Sequence, residues 1–460
     1  SDCTMEYEAV IGLEVHVELN TQSKMFCGCD TTFHAPPNTC VCPVCLGMPG
    51  VLPVINRRAV ECAVAVGLAL NCTISKWSKM DRKNYFYPDL AKNYQISQYD
   101  LPLACNGVLE IDVNGRTRRI GITRAHLEED TARNTHTLGG GDSADEAYAY
   151  LTELKQILAY LDVSDCNMEE GSLRAEANVS IRPVGETKLG VKTEVKNVAS
   201  FSGTHKAIEY EIARQKQVLA DGGTIVQETR GWDAERGVTV SQRSKESAHD
   251  YRYFPEPDLV PIAVEEDWIQ FVREGLPELP RARRRRFVTE YGLSEYDAGV
   301  LTATRAMADY FEETVRSGAA PKPAANWIMG DLQALLTESR TDIAACRIRP
   351  ADVADMIALI EEGTISGKIA KELLPEMFRS GTSPKRIIEE KNLVQLSDAA
   401  QLEAVAREVI AAHPGPAADF RAGKTKALGF LVGQMMKATK GQANPKMANE
   451  ILVRELKKDS

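Results

Sequence analysis

The sequence predicts an α+β domain built on a largely antiparallel sheet, followed by a second part that is wholly α-helical. Three observations predict this fold class. The segment YEAVIGLEVHVEL, beginning at Tyr7, alternates apolar and polar residues as a half-buried strand does. GVLEIDVNG and RTRRIGITRAHLE form a hairpin pattern that turns at Asn114-Gly115. After about Leu293 the long segments carry apolar residues at helical spacing.

The first part of the chain carries a second strand pair and two helices. ANVSIRPVG and LGVKTEVKNV are predicted to be strands, and apolar residues recur at helical spacing from Ala147 to Leu161 and from Ile208 to Leu219. The second helix is expected to end at Gly222-Gly223. Because hairpins and helices mix without a regular strand–helix alternation, an antiparallel α+β arrangement is favoured over a parallel one.

A change of composition marks the predicted end of this part. LPELPRARRRRF, beginning at Leu276, contains two prolines and five arginines, and HPGPAADFRAG, beginning at His413, resembles a hinge before the last helices. The helices predicted after LPELPRARRRRF are Val300–Arg316, Asp352–Glu361, Ile365–Met377, Ala399–Ala411, Lys424–Lys440 and Pro445–Lys457. The sequence therefore predicts three domains, at residues 1–293, 294–412 and 413–460.

Composition and charge limit the class of protein. The chain has 460 residues, 43% of them hydrophobic and 26% charged, which is typical of a soluble globular protein. It contains no apolar run of the roughly 18 to 20 residues that a membrane span needs, and SDCTMEYEAV does not resemble a secretory signal. The net charge of −10 argues against a protein that is covered by nucleic acid. From Arg421 onward, however, nine Lys and Arg stand against three acidic residues, a net charge of +6. A basic C-terminal segment of this kind is suited to bind a polyanion, although a solvated, lysine-rich helix surface explains the charge equally well.

Five of the eleven cysteines fall between Cys27 and Cys45, and the others are scattered, which indicates a reducing compartment and one metal site. Two close thiol pairs separated by a loop are able to form the tetrahedral S4 site of a structural zinc knuckle. The predicted ligands are Cys27, Cys29, Cys42 and Cys45, and Cys40 is an additional thiol that could replace a neighbouring ligand. The alternative is a group of reduced thiols without metal.

Acidic residues recur on several of the predicted strands. Glu14 and His16 are two residues apart and therefore share one face of the first strand. Further acids follow at Glu128, Glu129, Asp130, Glu169, Glu170, Glu176 and Glu194. A sheet face that presents carboxylates and a histidine is able to hold magnesium with a triphosphate. Each acid taken singly is more often a surface residue, so the prediction depends on how many strands offer one.

Cations and aromatic residues are interleaved in two segments, SKMDRKNYFYPDLAKNYQISQYDLPL and RSKESAHDYRYFPEPD. Such residues suit phosphate binding and stacking on a base or ribose, although aromatic packing in a core is an equally good explanation. The chain lacks the glycine spacing of a P-loop, a Rossmann fingerprint and the protein-kinase motifs. If this protein uses ATP, it therefore does so on an unusual fold.

These motifs together resemble one family, the B subunits of aspartyl/glutamyl-tRNA amidotransferases. The resemblance rests on GLEVHVEL, VCPVCLGMPGVLPVINRRAV, SKMDRKNYFYPD, YQISQYDLP, IGITRAHLEED, MEEGSLR, EVKN, DYRYFPEPD, NWIMGDL and FLVGQMMKATKGQANP, and it covers nearly the whole chain. It implies a heterotrimer with an amidase A subunit that releases ammonia from glutamine and a small C subunit. The B subunit would use ATP to phosphorylate the side-chain carboxylate of Glu-tRNA(Gln) or Asp-tRNA(Asn), and ammonia would then displace the phosphate.

The resemblance also implies a fold and a set of site residues. The family's N-terminal cradle is similar to the glutamine synthetase and guanido kinase fold, and its helical and tail domains hold the tRNA. Glu14, His16 and Glu129 match residues of the family's magnesium site, with Glu128 adjacent to Glu129. The four knuckle cysteines match a zinc knuckle found in many members. Candidate phosphate or second-ion contacts, chosen by physical role, are Lys79, Arg82, Lys83, Arg174, Glu194 and Lys196. Candidate nucleotide contacts are Tyr85, Tyr87 and Arg252.

One departure from the family lies near residues 142–145. THTLGGGDS runs directly into ADEAYAYL, where the family has a stretch like SLVDxNRxGxPLxEIVxxPDxR that carries an acidic residue of the magnesium site. Its loss predicts an exposed sheet edge and a missing ligand. The alternative function is therefore a tRNA-binding scaffold with an impaired kinase site, and a zinc-knuckle nucleic-acid binder is a distant third. Bacterial cytoplasm, chloroplast stroma and mitochondrial matrix are all compatible with the composition.

Overall fold

The computed structural model describes residues 6–32, 35–36, 38–86, 92–129, 136–244, 251–391, 399–422, 424–439, 443 and 445–458. The chain divides into two compact units, Ser1–Pro280 and Arg281–Ser460. The division falls inside the proline- and arginine-rich segment LPELPRARRRRF. In the described part of the chain, no helix has both the length and the apolar character to cross a bilayer.

The first unit combines strands and helices. Its strands are β1 (Tyr7–Val17), β2 (Thr73–Ile74), β3 (Trp77–Ser78), β4 (Asp81–Asn84), β5 (Tyr94–Ser97), β6 (Ala104–Val113), β7 (Arg116–His126), β8 (His136–Gly141), β9 (Leu173–Pro183), β10 (Thr193–Lys196), β11 (Glu228–Asp233), β12 (Val238–Ser244), β13 (Phe254–Pro255) and β14 (Ile262–Ala263). Its helices are α1 (Arg57–Ala69), α2 (Ala144–Tyr160), α3 (Phe201–Ala220) and α4 (Glu266–Glu274).

Nine of the strands form one sheet in the order β12-β11-β10-β9-β1-β8-β7-β6-β2, and the smaller sheets are β13-β4-β5 and β14-β3. The paired strands are antiparallel except for β10 and β11, which are parallel. This confirms the prediction of mixed α/β structure with antiparallel sheets. The predicted hairpin is also confirmed, since Asn114 and Gly115 between β6 and β7 both have positive φ, as a type I′ turn requires.

The two faces of β1 differ as its alternating sequence predicts. Ile11, Leu13 and Val15 are buried in the core, where they join apolar residues of α2 and α3. Glu14 and His16 therefore lie on the opposite face of the sheet. This face, which is not covered by the core, is the one available for polar chemistry.

The shortened segment forms an interior strand of the sheet instead of leaving an edge. β8 lies between β1 and β7, with Ile11 opposite Gly141, Val15 opposite Thr137, and Ala125 opposite Thr137. The prediction of an exposed edge is therefore wrong at this place. The physical reason is length: six extended residues span roughly 20 Å, which is enough to pair with five residues of β1.

A small polar network carries the chain directly from β8 into α2. The backbone N–H of Asp142 donates to Oε2 of Glu146 at 2.8 Å, and Nε of Arg118 donates to Oε1 of the same carboxylate at 2.9 Å. The hydroxyl of Ser143 accepts from the backbone N–H of Glu146, which caps the helix. Two residues, Asp142 and Ser143, thus suffice to connect strand and helix.

The second unit is helical, as predicted. Its helices are α5 (Pro280–Tyr291, beginning at the boundary), α6 (Glu295–Leu301), α7 (Arg305–Arg316), α8 (Pro321–Trp327), α9 (Gln333–Ser339), α10 (Pro350–Glu361), α11 (Gly367–Ser380), α12 (Pro384–Lys391), α13 (Ala399–Ala412), α14 (Pro414–Arg421), α15 (Lys426–Ala438) and α16 (Pro445–Lys458). One buried apolar cluster joins residues of α5 to α12, and another joins Leu402 of α13 to Leu431 and Leu452. The predicted boundaries of three domains stay a prediction.

Glu312 on α7 binds three residues of α5. Its carboxylate accepts from Nε of Arg283 at 3.0 Å, from Nη1 of Arg286 at 2.8 Å and from the hydroxyl of Tyr291 at 3.0 Å. Burial tends to raise the pKa of Glu312, but the bonds from Arg286 and Arg283 outweigh it and lower the pKa to about 2. The ionised carboxylate therefore stabilises the helical unit at any pH above the pKa of an unfolded Glu, about 4.3.

We expect this stabilisation to be lost as the pH falls from about 4.3 towards 2, because only then does the folded carboxyl take up a proton. Glu312→Gln should lower the free energy of unfolding at pH 7 by about 2 to 3 kcal/mol, measured by urea titration. The variant should also lose part of the pH dependence in that window. The control is Glu313→Gln, whose exposed partner Arg316 predicts a loss below about 1 kcal/mol. Equal losses in the two variants would contradict the assignment.

Candidate active site

Three carboxylates from neighbouring strands converge on the polar face of the large sheet. Glu14 of β1 is directly opposite Glu176 of β9, and Glu194 of β10 is opposite Asn178, the next residue of β9 on that face. Residues opposite each other in a sheet project from the same face. One ligand oxygen from each of Glu14, Glu176 and Glu194 lies within 4.8 Å of the other two. We call this group the carboxylate cluster.

Lys196 neutralises part of the cluster. Its Nζ lies 2.9 Å from Oε2 of Glu176 and 3.4 Å from Oε1 of Glu194. Burial raises the pKa of Glu176 even though Lys196 opposes the shift. Burial tends to lower the pKa of Lys196, but Glu176 and Glu194 outweigh it and raise that pKa. The cluster therefore carries three acids and one firmly protonated base, a net negative charge suited to a cation.

The donor set of the cluster fits a magnesium ion that is shared with phosphates. Magnesium binds oxygen ligands, usually one or two carboxylates together with waters and phosphate oxygens. Glu176 and Glu194 contact Lys196, and the Glu14 carboxylate lies within 4.8 Å of both acids, so all three are available as protein ligands. Lys196 is placed to neutralise phosphate charge next to such an ion.

The structure differs from the predicted magnesium ligands Glu14, His16 and Glu129 in one respect. Nε2 of His16 lies 3.7 Å from Oε1 of Glu14, and His16 is opposite Arg174, so both predicted residues adjoin the cluster. Glu129 has other partners: it forms an ion pair with Lys92 and accepts from the backbone N–H of Ile96 at 3.1 Å. β9 and β10 bring Glu176 and Glu194 to Glu14 in its place.

Glu128 forms the centre of a second polar group. Its buried carboxylate accepts from Nε2 of Gln95 and from the hydroxyl of Ser97, each at 2.6 Å. Nζ of Lys83 and Nε2 of His126 each lie 3.8 Å from Oε2 of Glu128. Two neutral donors and two bases thus surround one carboxylate, which fixes the position of Lys83.

Aromatic rings surround Lys83. Its Nζ lies 5.1 Å from the ring centre of Tyr251 and 6.0 Å from that of Tyr85, and these two rings meet edge to face. The hydroxyl of Tyr85 donates to Oε1 of Gln95 at 3.2 Å. A nearby pair, Tyr99 and Tyr253, stacks with ring centres 4.2 Å apart. This cation among rings is able to receive a phosphate, a base or a ribose.

The remaining residues that were predicted to contact phosphate or nucleotide do not form one group. Lys79 forms ion pairs with Asp81 and with Asp100, the latter at 2.5 Å. Arg174 donates from Nε to the backbone oxygen of Gly171 at 3.2 Å, beside His16. Arg252 is exposed and has a positive φ of 43°. Tyr87 lies outside the described residues.

Arg82 has the contacts of a structural residue. Nε and Nη2 of Arg82 donate to the two carboxylate oxygens of Glu256 at 2.7 and 2.8 Å, and Nη2 also reaches Asp258 at 3.2 Å. Its guanidinium lies 4.2 Å from the ring centre of Tyr94. Because Glu256 is buried, this two-bond pair joins β4 to the segment after β13. A phosphate would have to compete with it.

We therefore expect Arg82→Met to lower the free energy of unfolding of the first unit by about 3 kcal/mol, because it leaves the buried Glu256 without its main partner. Chemical denaturation measures this loss. Arg57→Met is the matched control, because Arg57 forms an exposed ion pair with Glu61 and predicts a loss below about 1 kcal/mol. A stable Arg82→Met variant that binds ATP poorly would instead favour the predicted phosphate contact.

The four predicted knuckle cysteines meet in space. One Sγ from each of Cys27, Cys29, Cys42 and Cys45 lies within 4.8 Å of the others. Zinc–sulfur bonds of about 2.3 Å place the sulfurs of a tetrahedron about 3.8 Å apart, so the set fits zinc with little adjustment. The backbone N–H of Cys45 lowers the pKa of the Cys42 thiol to about 7, which favours the thiolate that a metal needs. Cys40 is not part of the group.

A cavity of about 1090 Å³ connects the knuckle with the second polar group. Its wall includes Cys27 and Cys45 of the knuckle, Lys92, and the two carboxylates Glu128 and Glu129. The cavity is large enough for a nucleotide or the end of an acceptor strand. Sequence reasoning missed Lys92, Gln95, Ser97 and Tyr251, because short-range patterns do not reveal a partner that lies on another strand.

Comparisons of the whole sequence with known proteins all point to the same family. The model of the GatB/GatE catalytic domain matches residues 9–143 and 140–270, and the model of the GatB domain matches residues 309–456. Proteins named as the B subunit of aspartyl/glutamyl-tRNA(Asn/Gln) amidotransferase are similar over nearly the full length. The relative from Carboxydothermus hydrogenoformans is 53% identical over 98% of this chain and 99% of its own. The relatives from Caldanaerobacter subterraneus and Geobacter sulfurreducens are each 54% identical, over 99% and 98% of this chain and 100% of their own.

The same comparisons locate a gap in this chain. The alignment with the Carboxydothermus hydrogenoformans protein covers 478 positions, more than the 460 residues of the chain, so at least 18 positions have no residue here. The catalytic-domain match is broken at residues 140–143, where β8 runs into α2. This agrees with the predicted absence of a stretch before residue 145.

Proposed function

The chain belongs to the B-subunit family of aspartyl/glutamyl-tRNA amidotransferases, which are glutamine-hydrolysing carbon–nitrogen ligases, and from this membership we propose that it uses ATP to activate a misacylated tRNA. The substrate would be Glu-tRNA(Gln) or Asp-tRNA(Asn), and the product the corresponding amide. The observation that carries the proposal is the convergence of Glu14, Glu176 and Glu194 from three adjacent strands.

The reaction consists of two displacements. In the first, an oxygen of the substrate carboxylate attacks the γ-phosphorus of ATP, the bond to the β-phosphate oxygen breaks, and ADP leaves. In the second, ammonia attacks the carbonyl carbon of the acyl phosphate, phosphate leaves, and the nitrogen loses a proton to give the amide. Phosphorylation matters because a free carboxylate would have to expel oxide, which is a very poor leaving group.

The residues of this chain contribute position and charge. Phosphoryl transfer depends mainly on alignment and on neutralisation of the phosphate oxygens. Glu14, with Glu176 and Glu194, would hold a magnesium ion, which when bound neutralises phosphate charge. Lys196 lies beside the carboxylates and Lys83 beside Glu128, so both are placed to approach anionic oxygens. Tyr85 and Tyr251 offer ring faces for the nucleotide.

The proposal includes partners and a domain plan. Its assembly would contain an amidase A subunit as the source of ammonia, a small C subunit, and the tRNA. The first unit would be the cradle, with a glutamine synthetase- or guanido kinase-like fold, and the helical unit would hold the tRNA. The knuckle cysteines would bind a structural zinc, since four thiolates leave no coordination position for a substrate.

The scaffold alternative rested on the shortened segment. The continuous sheet and the converging carboxylates do not favour the scaffold alternative, because β1 still pairs with a strand on each side. Three half-buried acids next to a lysine are the groups that binding of a metal ion and phosphate requires.

The test combines the full chain with A and C subunits and supplies glutamine, ATP, magnesium and Glu-tRNA(Gln) or Asp-tRNA(Asn). ADP release that depends on the aminoacylated tRNA, with matching amide formation, is the expected result. The reference is the complete Geobacter sulfurreducens enzyme under the same conditions. Tight tRNA binding without ADP release, while the reference works, would reject activation and leave the scaffold function.

A further inference from the structure

The residues around the carboxylate cluster form two short rows across β1, β9 and β10. In the first row Glu14 is opposite Glu176, which contacts Lys196. In the second row Gly12 is opposite Asn178, and Asn178 is opposite Glu194. Each residue of the second row lies two positions from the first row on its own strand, so all six share one face of the sheet. Asn178 therefore adjoins the cluster, although it carries no charge.

The side-chain carbonyl of Asn178 is buried without a partner. Its Oδ1 is shielded from solvent and accepts no hydrogen bond from any residue that the structure describes. A buried acceptor of this kind destabilises a fold unless a donor or an ion satisfies it, and such groups are uncommon in folded proteins. The orphaned oxygen therefore needs a partner that the chain itself does not supply.

The neighbours of Asn178 restrict what this partner is. Ionised carboxylates are acceptors and have no proton to donate, so Glu176 and Glu194 do not satisfy Oδ1. The ammonium group of Lys196 already contacts both acids, at 2.9 and 3.4 Å. Four oxygen-bearing side chains thus lie close together on one face of the sheet. A cation is the partner that all four oxygen groups have in common.

Charge explains why an amide suits this place better than a fourth acid. Three ionised carboxylates and one protonated lysine leave a net charge of −2, which one divalent cation neutralises. An amide carbonyl adds an oxygen ligand without changing this balance. A fourth carboxylate would leave a negative charge facing a triphosphate, which it would repel.

Gly12 leaves space next to Asn178. Among the described residues, a Cβ built on Gly12 would meet only the Cβ of Asn178, at 3.7 Å, which is an ordinary van der Waals contact. Packing therefore does not require glycine here, and glycine in the interior of a strand weakens it. Glycine at such a position permits a ligand to approach the backbone closely.

We propose that Asn178 is a neutral oxygen ligand of the divalent cation held by the carboxylate cluster. Its Oδ1 binds the ion together with carboxylate oxygens of the cluster, and the space over Gly12 admits water or phosphate oxygens to the same ion. The inference rests on the proposed function and deepens it by adding a residue to its metal site.

The test measures the dissociation constant of Mn²⁺, a paramagnetic probe for the magnesium site, for the zinc-loaded full chain without ATP or tRNA. Electron paramagnetic resonance of the free ion reports it. Loss of residues that only support metal ligands costs 10- to 100-fold in affinity, so Asn178→Leu should weaken Mn²⁺ binding by about 10-fold or more. Ser180→Ala is the matched control. Ser180 lies two positions further along β9, and its hydroxyl donates to the backbone oxygen of Val10 at 3.4 Å, so its loss should leave the affinity unchanged.

The melting temperature without metal distinguishes a ligand from a structural residue. Leucine removes the buried acceptor and fills a similar volume, so metal-free Asn178→Leu should melt at or above the temperature of the wild type. Saturating Mn²⁺ should then stabilise the variant less than it stabilises the wild type, because stabilisation follows affinity.

Two further variants test the charge and the open space. Asn178→Asp keeps the oxygen and adds a charge, so it should bind Mn²⁺ alone at least as tightly as the wild type but bind ATP with Mn²⁺ more weakly. Gly12→Val fills the space beside Asn178. It should retain Mn²⁺ binding and weaken the binding of ATP with Mn²⁺.

The outcomes separate this inference from the proposed function. If Glu14→Gln weakens Mn²⁺ binding and Asn178→Leu does not, Asn178 is not a ligand, while the proposed function stands. A metal-free Asn178→Leu chain that melts below the wild type and binds Mn²⁺ equally well would also overturn the inference, in favour of a structural role. A wild-type chain that binds no Mn²⁺, with or without ATP, would contradict the metal site of the proposed function itself.

Discussion

Glu14→Gln is expected to lower tRNA-dependent ADP release and amide formation by about 100-fold or more. Glutamine keeps the shape of the side chain but removes its negative charge, and a neutral amide is a weak ligand for magnesium. Glu14 is the member of the carboxylate cluster that belongs to β1, so its loss leaves Glu176 and Glu194 facing Lys196 alone. The magnesium concentration needed for half-maximal rate should rise as well.

Glu8→Gln is the matched control for this variant. Glu8 lies on the same strand but pairs with Arg182 at 2.6 Å, away from the cluster, and both side chains are partly exposed. We expect a change in stability below about 1 kcal/mol and nearly unchanged turnover. A Glu14→Gln enzyme that keeps its magnesium dependence and most of its turnover would show that the cluster has another purpose.

Cys42→Ser is expected to remove zinc from the protein and to open the knuckle. The wild-type chain should contain one zinc ion, measured by elemental analysis, because four thiols meet within 4.8 Å. Since metal binding contributes directly to the stability of small metal-held loops, the melting temperature of the first unit should fall by about 5 °C or more. The knuckle forms part of the cavity wall, so turnover should fall with it.

Cys40→Ser separates this prediction from a general effect of losing a thiol. Cys40 lies in the same loop but outside the group of four, so its variant should keep zinc and stability. Treatment of the wild type with a strong chelator should reproduce the Cys42→Ser melting curve. A zinc-free wild-type protein with an unchanged melting temperature would mean that the thiols are structural without metal.

Local patterns in the sequence predicted what local chemistry determines. The Asn114-Gly115 turn followed from the demand of a tight hairpin for positive φ, and the positions of Glu14 and His16 followed from the two-residue period of a strand. The knuckle followed from cysteine spacing, and the four thiols do meet. In each of these examples, the residues that determine the feature lie within about twenty positions of one another in the sequence.

Strand order and register could not be predicted in this way. Glu176 and Glu194 join Glu14 because β9 pairs with β1 and β10 pairs with β9, which depends on residues more than 150 positions away. The sequence predicts a phosphate contact at Arg82, but it does not reveal the partner Glu256, which lies 174 residues further on. The placement of β8 beside β1 likewise depends on the strand order of the whole sheet, which a short stretch of sequence does not reveal.

The position of β1 at the centre of the sheet also governs how the protein is made. Both of its neighbours, β8 and β9, are encoded far downstream, at residues 136–141 and 173–183. At typical rates of translation, roughly 10 to 30 seconds pass between synthesis of β1 and synthesis of its last partner. β1 has no partner strand for either edge until β8 is made, and one of its edges stays unpaired until β9 follows. We therefore expect nascent chains of this protein to be most prone to aggregation before β9 is complete.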